Sequence, residues 1–403
     1  MKKLNFKTFL LFICCILFLF FIFFYLNNLF YLHSLEKSIL PISSSFFNLN
    51  SKSIKNVVLK TTRVTNGLLA RTKKLQSYTQ IGGLELPIKG ATGYASVKLN
   101  LMLEPSNNSG IVGTFIPGMA FRILNEQGDW WYVETNKFSG WLEHKYCMIN
   151  LPDVIPSIIY DDTNSYSSLF KSSGKDLPNI TGKALYNVKC MNNRLNKEEY
   201  LMPILYSVAK KICSAQQLAL EEGNCLKIYE SYRPYITQMA IANSLRELAN
   251  SDEDVKNGIN SSGWSESWFI AQNLSNHQRG IAIDTSLVKI INSKYKYYGD
   301  YYYIDVTDYE EYEMPTNMHE LSKAAATYSY GISNKNKEVL QKTPFAKTMN
   351  DEAKLLQSYC LKANLSPLAS EWWHFEDLDT KEKTKNNYST GRYYITECYS
   401  LEY

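Results

Sequence analysis

At 403 residues the chain is longer than one ordinary domain of roughly 100–200 residues, so two folded units and extra segments are expected. Hydrophobic residues make up 45% and charged residues 20%, a globular balance that excludes a disordered or fibrous chain. Lys and Arg (43) nearly match Asp and Glu (39), and a net charge of +4 carries no nucleic-acid signature.

The first element in chain order is an apolar run. No charged side chain occurs from Thr8 to Leu32, and Phe9–Leu26 is apolar throughout. A membrane-spanning helix needs about 20 such residues, a cleaved secretory segment only about 7–15. Lys2, Lys3 and Lys7 precede the run, while Lys37 after it is balanced by Glu36, which orients the tip toward the cytoplasm and the rest outside. Residues 1–36 therefore read as a cytoplasmic tip and an uncleaved signal anchor. The alternative is a cleaved signal peptide, with small residues at Ser43–Ser45. The expected localisation is the cell membrane, single-pass, with an extracytoplasmic remainder. Residues 37–88 follow as a basic stalk without an acidic residue before Glu85. It either lies on anionic wall polymers or headgroups or is simply solvated.

Residues 89–152 read as all-β. Short apolar runs at Gly93–Leu103, Ile111–Phe115, Met119–Leu124, Trp130–Glu134 and Gly140–Leu142 alternate with turn signals such as Pro117-Gly118 and Gly128. Five short strands in so few residues suit a small barrel. The order Asn100-Leu101, Gly113-Thr114-Phe115, Pro117-Gly118, Trp130-Trp131-Tyr132-Val133 and Ser139-Gly140-Trp141-Leu142 resembles a bacterial SH3 domain. That resemblance implies a module that binds the cell wall.

Residues 153–403 read as mixed α/β. Asn196 and Glu199 have capping-box spacing, and Leu201, Leu205, Val208, Ile212 and Ala215 recur at helical spacing until Gly223. A strand at Leu226–Tyr229, a helix over Tyr235–Leu248 and a strand through Ile281, Ile283 and Leu287-Val288 follow.

The chemistry concentrates in two short segments, Ser275–Asp284 and Glu371–Phe375, which hold two of the chain's five histidines. His277, His374 and Asp284 make a three-ligand set that leaves zinc an open position, the catalytic arrangement. Glu371, three residues before His374, can act as general base beside the metal without ligating it. Gly280 lets the chain turn between a loop ligand and a strand ligand.

Ser-x-His-x-x-Gly-x-Ala-x-Asp at 275–284 with Glu-x-Trp-His at 371–374 resembles the zinc D-Ala-D-Ala carboxypeptidase and dipeptidase family. It is most similar to the D-Ala-D-Ala dipeptidases associated with vancomycin resistance. Asn179-Ile180-Thr181-Gly182, Tyr229-Glu230-Ser231-Tyr232-Arg233-Pro234 and the double tryptophan Trp372-Trp373 carry the same likeness. The resemblance implies one catalytic Zn2+ held by His277, Asp284 and His374, with Glu371 as proton shuttle. It also implies that Arg233 stabilises the oxyanion and that Ser275 helps hold the substrate carboxylate. Where the dipeptidases carry Met-Gly-x-x-Phe-Asp, whose acid meets the substrate amine, this chain has Met314-Pro315-Thr316-Asn317-Met318-His319. His319 recognises an ammonium poorly, and neighbouring Glu320 is the candidate substitute. That departure favours a longer peptide over the free dipeptide.

The expected fold class is an α+β zinc peptidase domain with a small all-β SH3-like barrel and one N-terminal transmembrane helix. The expected function is extracytoplasmic, zinc-dependent hydrolysis of the D-Ala-D-Ala terminus of peptidoglycan stem peptides. A dipeptidase and a non-catalytic wall-binding protein are the alternatives. Stem peptides, the wall and the membrane are the expected partners, with no nucleic acid.

Overall fold

A computed structural model describes residues 76–399, residue 262 excepted. From Thr92 to Asn150, runs of alternating side chains broken by Gly, Pro and Asn form seven short strands. Trp130–Glu134 shows the pattern: Trp131 and Val133 turn inward and are buried, while their neighbours stay partly exposed. An eighth strand, Pro203–Leu205, pairs with Cys147–Asn150 through Ile204↔Ile149 and joins the same sheet. Cys147–Asn150 is buried along its whole length. A buried edge there would leave backbone N–H and C=O groups without partners, and the distant strand supplies them. This corrects the expectation of a self-contained barrel of five short strands. The eight-stranded sheet draws a strand from beyond residue 200, and one hydrophobic cluster runs from Leu84 through Phe121 and Leu226 to Ile395.

The second sheet has the order Ser366–Pro367, His374–Glu376, Ala282–Tyr298, Asn224–Glu230, Ile159–Tyr160. Its middle is buried on both faces: Asn224–Glu230 and the first seven residues of Ala282–Tyr298 are all buried, the polar side chains Glu230 and Asp284 among them. Beyond Val288 the long strand leaves the sheet centre and pairs with Tyr301–Glu311 as a largely exposed hairpin.

The helix Tyr206–Glu221 buries Val208, Ala209, Ile212, Ala215 and Ala219 along one face, as the 3.6-residue period requires. Tyr235–Ser251 opens directly after Pro234, whose fixed φ favours a helix start. Asp351–Lys362 is capped by Asn350, whose side chain accepts from the Ala353 N–H at 3.1 Å. The capping-box reading of Asn196 and Glu199 is corrected. Both lie in a hairpin of Lys189–Asn192 with Lys197–Tyr200, with Asn196 at a φ of 50° in its turn. A helix starting there would have to carry Pro203 in its interior, which removes a hydrogen bond and clashes with the preceding turn.

No helix of the described residues is long and apolar enough to cross a membrane. The longest, Tyr235–Ser251, has 17 residues and a polar face. The transmembrane part of the expected fold class, and with it the single-pass localisation, is corrected on that finding. The run at residues 8–32 that suggested it, like most of the stalk, lies outside the described residues.

The C-terminal tail returns across the molecule. Tyr94 Oη donates to the Glu397 carbonyl (2.9 Å), and the Tyr399 N–H donates to Thr92 Oγ1 (3.0 Å). Tyr393 stacks on Tyr232, whose Oη donates to the Tyr393 carbonyl at 2.8 Å. That contact braces the Ser231–Arg233 turn beside the site.

Candidate metal centre

Strand register builds the site. Asp284 pairs with His374 on one neighbouring strand and with Glu230 on the other. Directly opposed residues on one face of a sheet bring their side chains within about 4.5–5.5 Å. An irregularity between Ile228 and Glu230 re-aims the end of that strand. His277 comes from the turn before Ala282–Tyr298. Gly280, at a φ of 68°, turns the chain there, and a Cβ at this position would lie 2.5 Å from Met148 Cε.

Three donor atoms converge. His374 Nδ1 lies 3.0 Å from Asp284 Oδ1 and 3.1 Å from His277 Nε2, and His277 Nε2 lies 3.3 Å from Asp284 Oδ1. All three residues are buried. His277 Nδ1 meets the Ser231 carbonyl at 2.8 Å, and a carbonyl only accepts, so that nitrogen carries the proton. In the neutral ring Nε2 then presents a lone pair to His374 Nδ1 and to a carboxylate. Lone pairs facing one another in a buried site call for a shared cation. Ligands about 2.0–2.1 Å from a tetrahedral ion stand about 3.3 Å from each other, close to the separations here. The residues present therefore fit a metal ion, and these buried groups could hold one.

The second acidic cluster, Glu230, Asp284 and His319, also brings three donor atoms together. A cation already serves it. Arg233 Nε donates to Glu230 Oε2 at 2.9 Å, its Nη2 bonds the same carboxylate and reaches Asp284 Oδ2 at 3.3 Å, and its Nη1 donates to Gln238 Oε1 at 2.7 Å. Burial opposes ionisation of Glu230, but the Arg233 guanidinium outweighs it and holds the carboxyl below its ordinary value. For Asp284 the same contest between burial and the surrounding histidines ends well below the usual carboxylate range.

Glu371 has the opposite balance. It immediately precedes the Trp372-Trp373 turn, with Oε2 at 3.7 Å from His374 Nδ1. Burial pushes its carboxyl up to about 8, while His374 and Arg233 pull it back and Asp284 adds to the rise. An acid poised near neutrality can both accept and return a proton.

His277, Asp284, His374, Glu371, Arg233 and Ser275 all line one cleft of about 240 Å³, whose remaining walls are largely apolar, including Phe170, Trp268, Leu321 and Trp373. Ser275 Oγ accepts from the His277 N–H at 3.2 Å. The other two residues singled out from sequence, His319 and Glu320, are not among the lining residues. His319 is fully buried behind Phe170, their rings stacked at 4.1 Å. Glu320 accepts from the Ser173 N–H (2.5 Å), the Gly174 N–H (3.1 Å) and Ser322 Oγ (2.7 Å), which commits its carboxylate to a loop. Glu230, the partner of Arg233, was not singled out. Its signal was the spacing of an acid three residues before Arg233 on a strand end. No family model matches the chain, and no curated protein matches it.

Proposed function

We propose that the protein is a zinc-dependent peptidase that removes the terminal residue from D-Ala-D-Ala-ended stem peptides of peptidoglycan. The observation that carries this reading is the convergence of His277, Asp284, His374 and Glu371 on one cleft, from segments almost a hundred residues apart. Zinc, when bound, supplies Lewis acidity and lowers the pKa of a water at its open position. Glu371, with a carboxyl raised by burial, takes a proton from the attacking water and delivers it to the leaving amine. Positive charge added to the ligand set pulls that carboxyl back toward ionisation, as the base role requires. Arg233 faces the cleft as a permanent charge and opposes the oxyanion, while Glu230 and Gln238 fix its orientation. Phe170, Leu321 and Trp373 give small methyl side chains an apolar seat and limit water.

The same geometry favours a longer peptide over the free dipeptide. A dipeptide brings an ammonium into the cleft, and among the described residues the only acids lining it are Asp284 and Glu371, both assigned to the chemistry. Glu320 is held by its three loop donors.

The test is to incubate the full zinc-loaded chain with D-Ala-D-Ala and, separately, with a stem pentapeptide, and to quantify released D-Ala. Release from the pentapeptide is expected, with Glu371→Gln about 10²–10⁴-fold slower. Cleavage of the dipeptide alone would move the reading to a dipeptidase. No Glu371-dependent release from either substrate, or from whole peptidoglycan, would leave a non-catalytic wall-binding protein.

A further inference from the structure

His319 lies far from the metal-ligand segments in sequence, yet it touches one of the ligands. Its Nε2 is 3.2 Å from Asp284 Oδ2, while Asp284 Oδ1 faces His277 and His374. The two oxygens thus have separate duties. Oδ2 is held by Arg233 at 3.3 Å and by His319, and Oδ1 is left for the ion. The imidazole is fixed on several sides. Phe170 stacks on it with an interplanar angle of 7°, Trp373 meets it edge-on at 6.1 Å, and the ring is fully buried. Its backbone has a φ of 64°, a conformation uncommon for a residue other than glycine. Among the described residues Nδ1 has no hydrogen-bond partner. The ring therefore spends its one directed contact on Asp284.

We propose that His319 is a positioning residue for the metal centre, whose Nε2–H locks the Asp284 carboxylate so that Oδ1 alone turns toward the ion. The inference rests on the metal-binding reading above and adds a second layer to it. A carboxylate free to rotate would offer either oxygen, or both, and lose the directed lone pair that a small tetrahedral ion needs. Partners of metal ligands typically contribute about 10–100-fold in affinity. Position 319 would then serve the metal rather than the substrate amine.

The experiment measures zinc affinity of the full chain by competition with a chromogenic chelator, with the melting temperature of the metal-free protein alongside. Three variants are compared with wild type: His319→Leu, His319→Gln and His374→Ala. His319→Leu is expected to weaken zinc binding about 10–100-fold. His319→Gln, whose Nε2–H reaches about as far as the imidazole's, is expected to stay within a few-fold of wild type. If His319→Leu does not fold, His319→Asn replaces it, since Asn tolerates a positive φ but is too short to reach Oδ2. A merely space-filling histidine would lower the melting temperatures of both variants without separating their zinc affinities, and that result overturns the proposal. So does wild-type affinity in His319→Leu when His374→Ala has lost binding. If His374→Ala binds zinc as tightly as wild type, the metal centre itself is misassigned, and this inference falls with it.

Discussion

Two buried carboxylate sites in this protein reach opposite charge states. Glu85 packs beneath the helix Tyr206–Glu221, where it accepts from Ser157 Oγ (2.5 Å), the Ser157 N–H (3.0 Å) and Gln217 Nε2 (2.7 Å). These donors are neutral, and burial pushes its carboxyl up to about 7. At the candidate metal centre Glu230 and Asp284 are equally buried, but Arg233 and the histidines keep both carboxyls low. Neutral donors do not keep Glu85 ionised, whereas the Arg233 guanidinium keeps Glu230 so. Glu371 belongs to the same centre yet behaves like Glu85, because burial outweighs the pull of His374 and Asp284 stands nearby.

The comparison breaks most severely at Arg233. Arg233→Met leaves Glu230 and Asp284 buried without their counter-charge, and should cost about 3–5 kcal/mol in denaturant unfolding at neutral pH. A loss of unfolding free energy under about 1 kcal/mol would show that water or a proton compensates them instead.

The Glu85 pocket gives a pH signature of nearly the same size. Below pH 4.5 the folded and unfolded chains both carry the proton. From there to about 7 the unfolded chain releases it while the folded one keeps it, so stability falls with rising pH, by about 3 kcal/mol in all, and then levels off. Glu85→Gln should remove this contribution, read as a flatter stability profile between those two values. An unchanged slope would assign it to another group.

Metal removal sharpens the contrast from the other side. At a free zinc concentration 100 times the dissociation constant, binding should add about 2.7 kcal/mol, so chelation should lower the melting temperature of wild type but not of Asp284→Asn. The smallest effect is expected at the turn that presents His277. Gly280→Ala meets both a φ of 68° and the Met148 methyl, and should cost about 1–2 kcal/mol with weaker zinc binding. Full stability with full affinity would mean the turn relaxes freely.

Much of the site was legible in the chain because its chemistry is written in rare residue types at short spacing. His277 and Asp284 lie seven positions apart and His374 three after Glu371, so local geometry already groups them in two pairs. Strand patterns at Ile111–Phe115 and Trp130–Glu134, and the helix from Tyr235, followed from the alternation and periodicity of apolar side chains. Other features depended on partners remote in sequence. Cys147–Asn150 was not singled out as a strand, and its pairing with Pro203–Leu205 is set by a shared edge rather than by either segment alone. Asn196 and Glu199 satisfied a local helix rule that Pro203 overrides.

What the sequence determined by itself was the inventory: two imidazoles, a carboxylate and a nearby acid, in an arrangement that suits a metal and a proton shuttle. What only the tertiary structure decided was each group's surroundings. The register of three strands puts Glu230, Asp284 and His374 side by side, and burial then raises Glu371 while Arg233 holds Glu230 down. His319 and Glu320 are adjacent in the chain, yet one is turned onto Asp284 and the other onto the Ser173 loop. Charge state and orientation arise from distances between segments that the chain order leaves unspecified, and those distances are settled only when the sheet assembles.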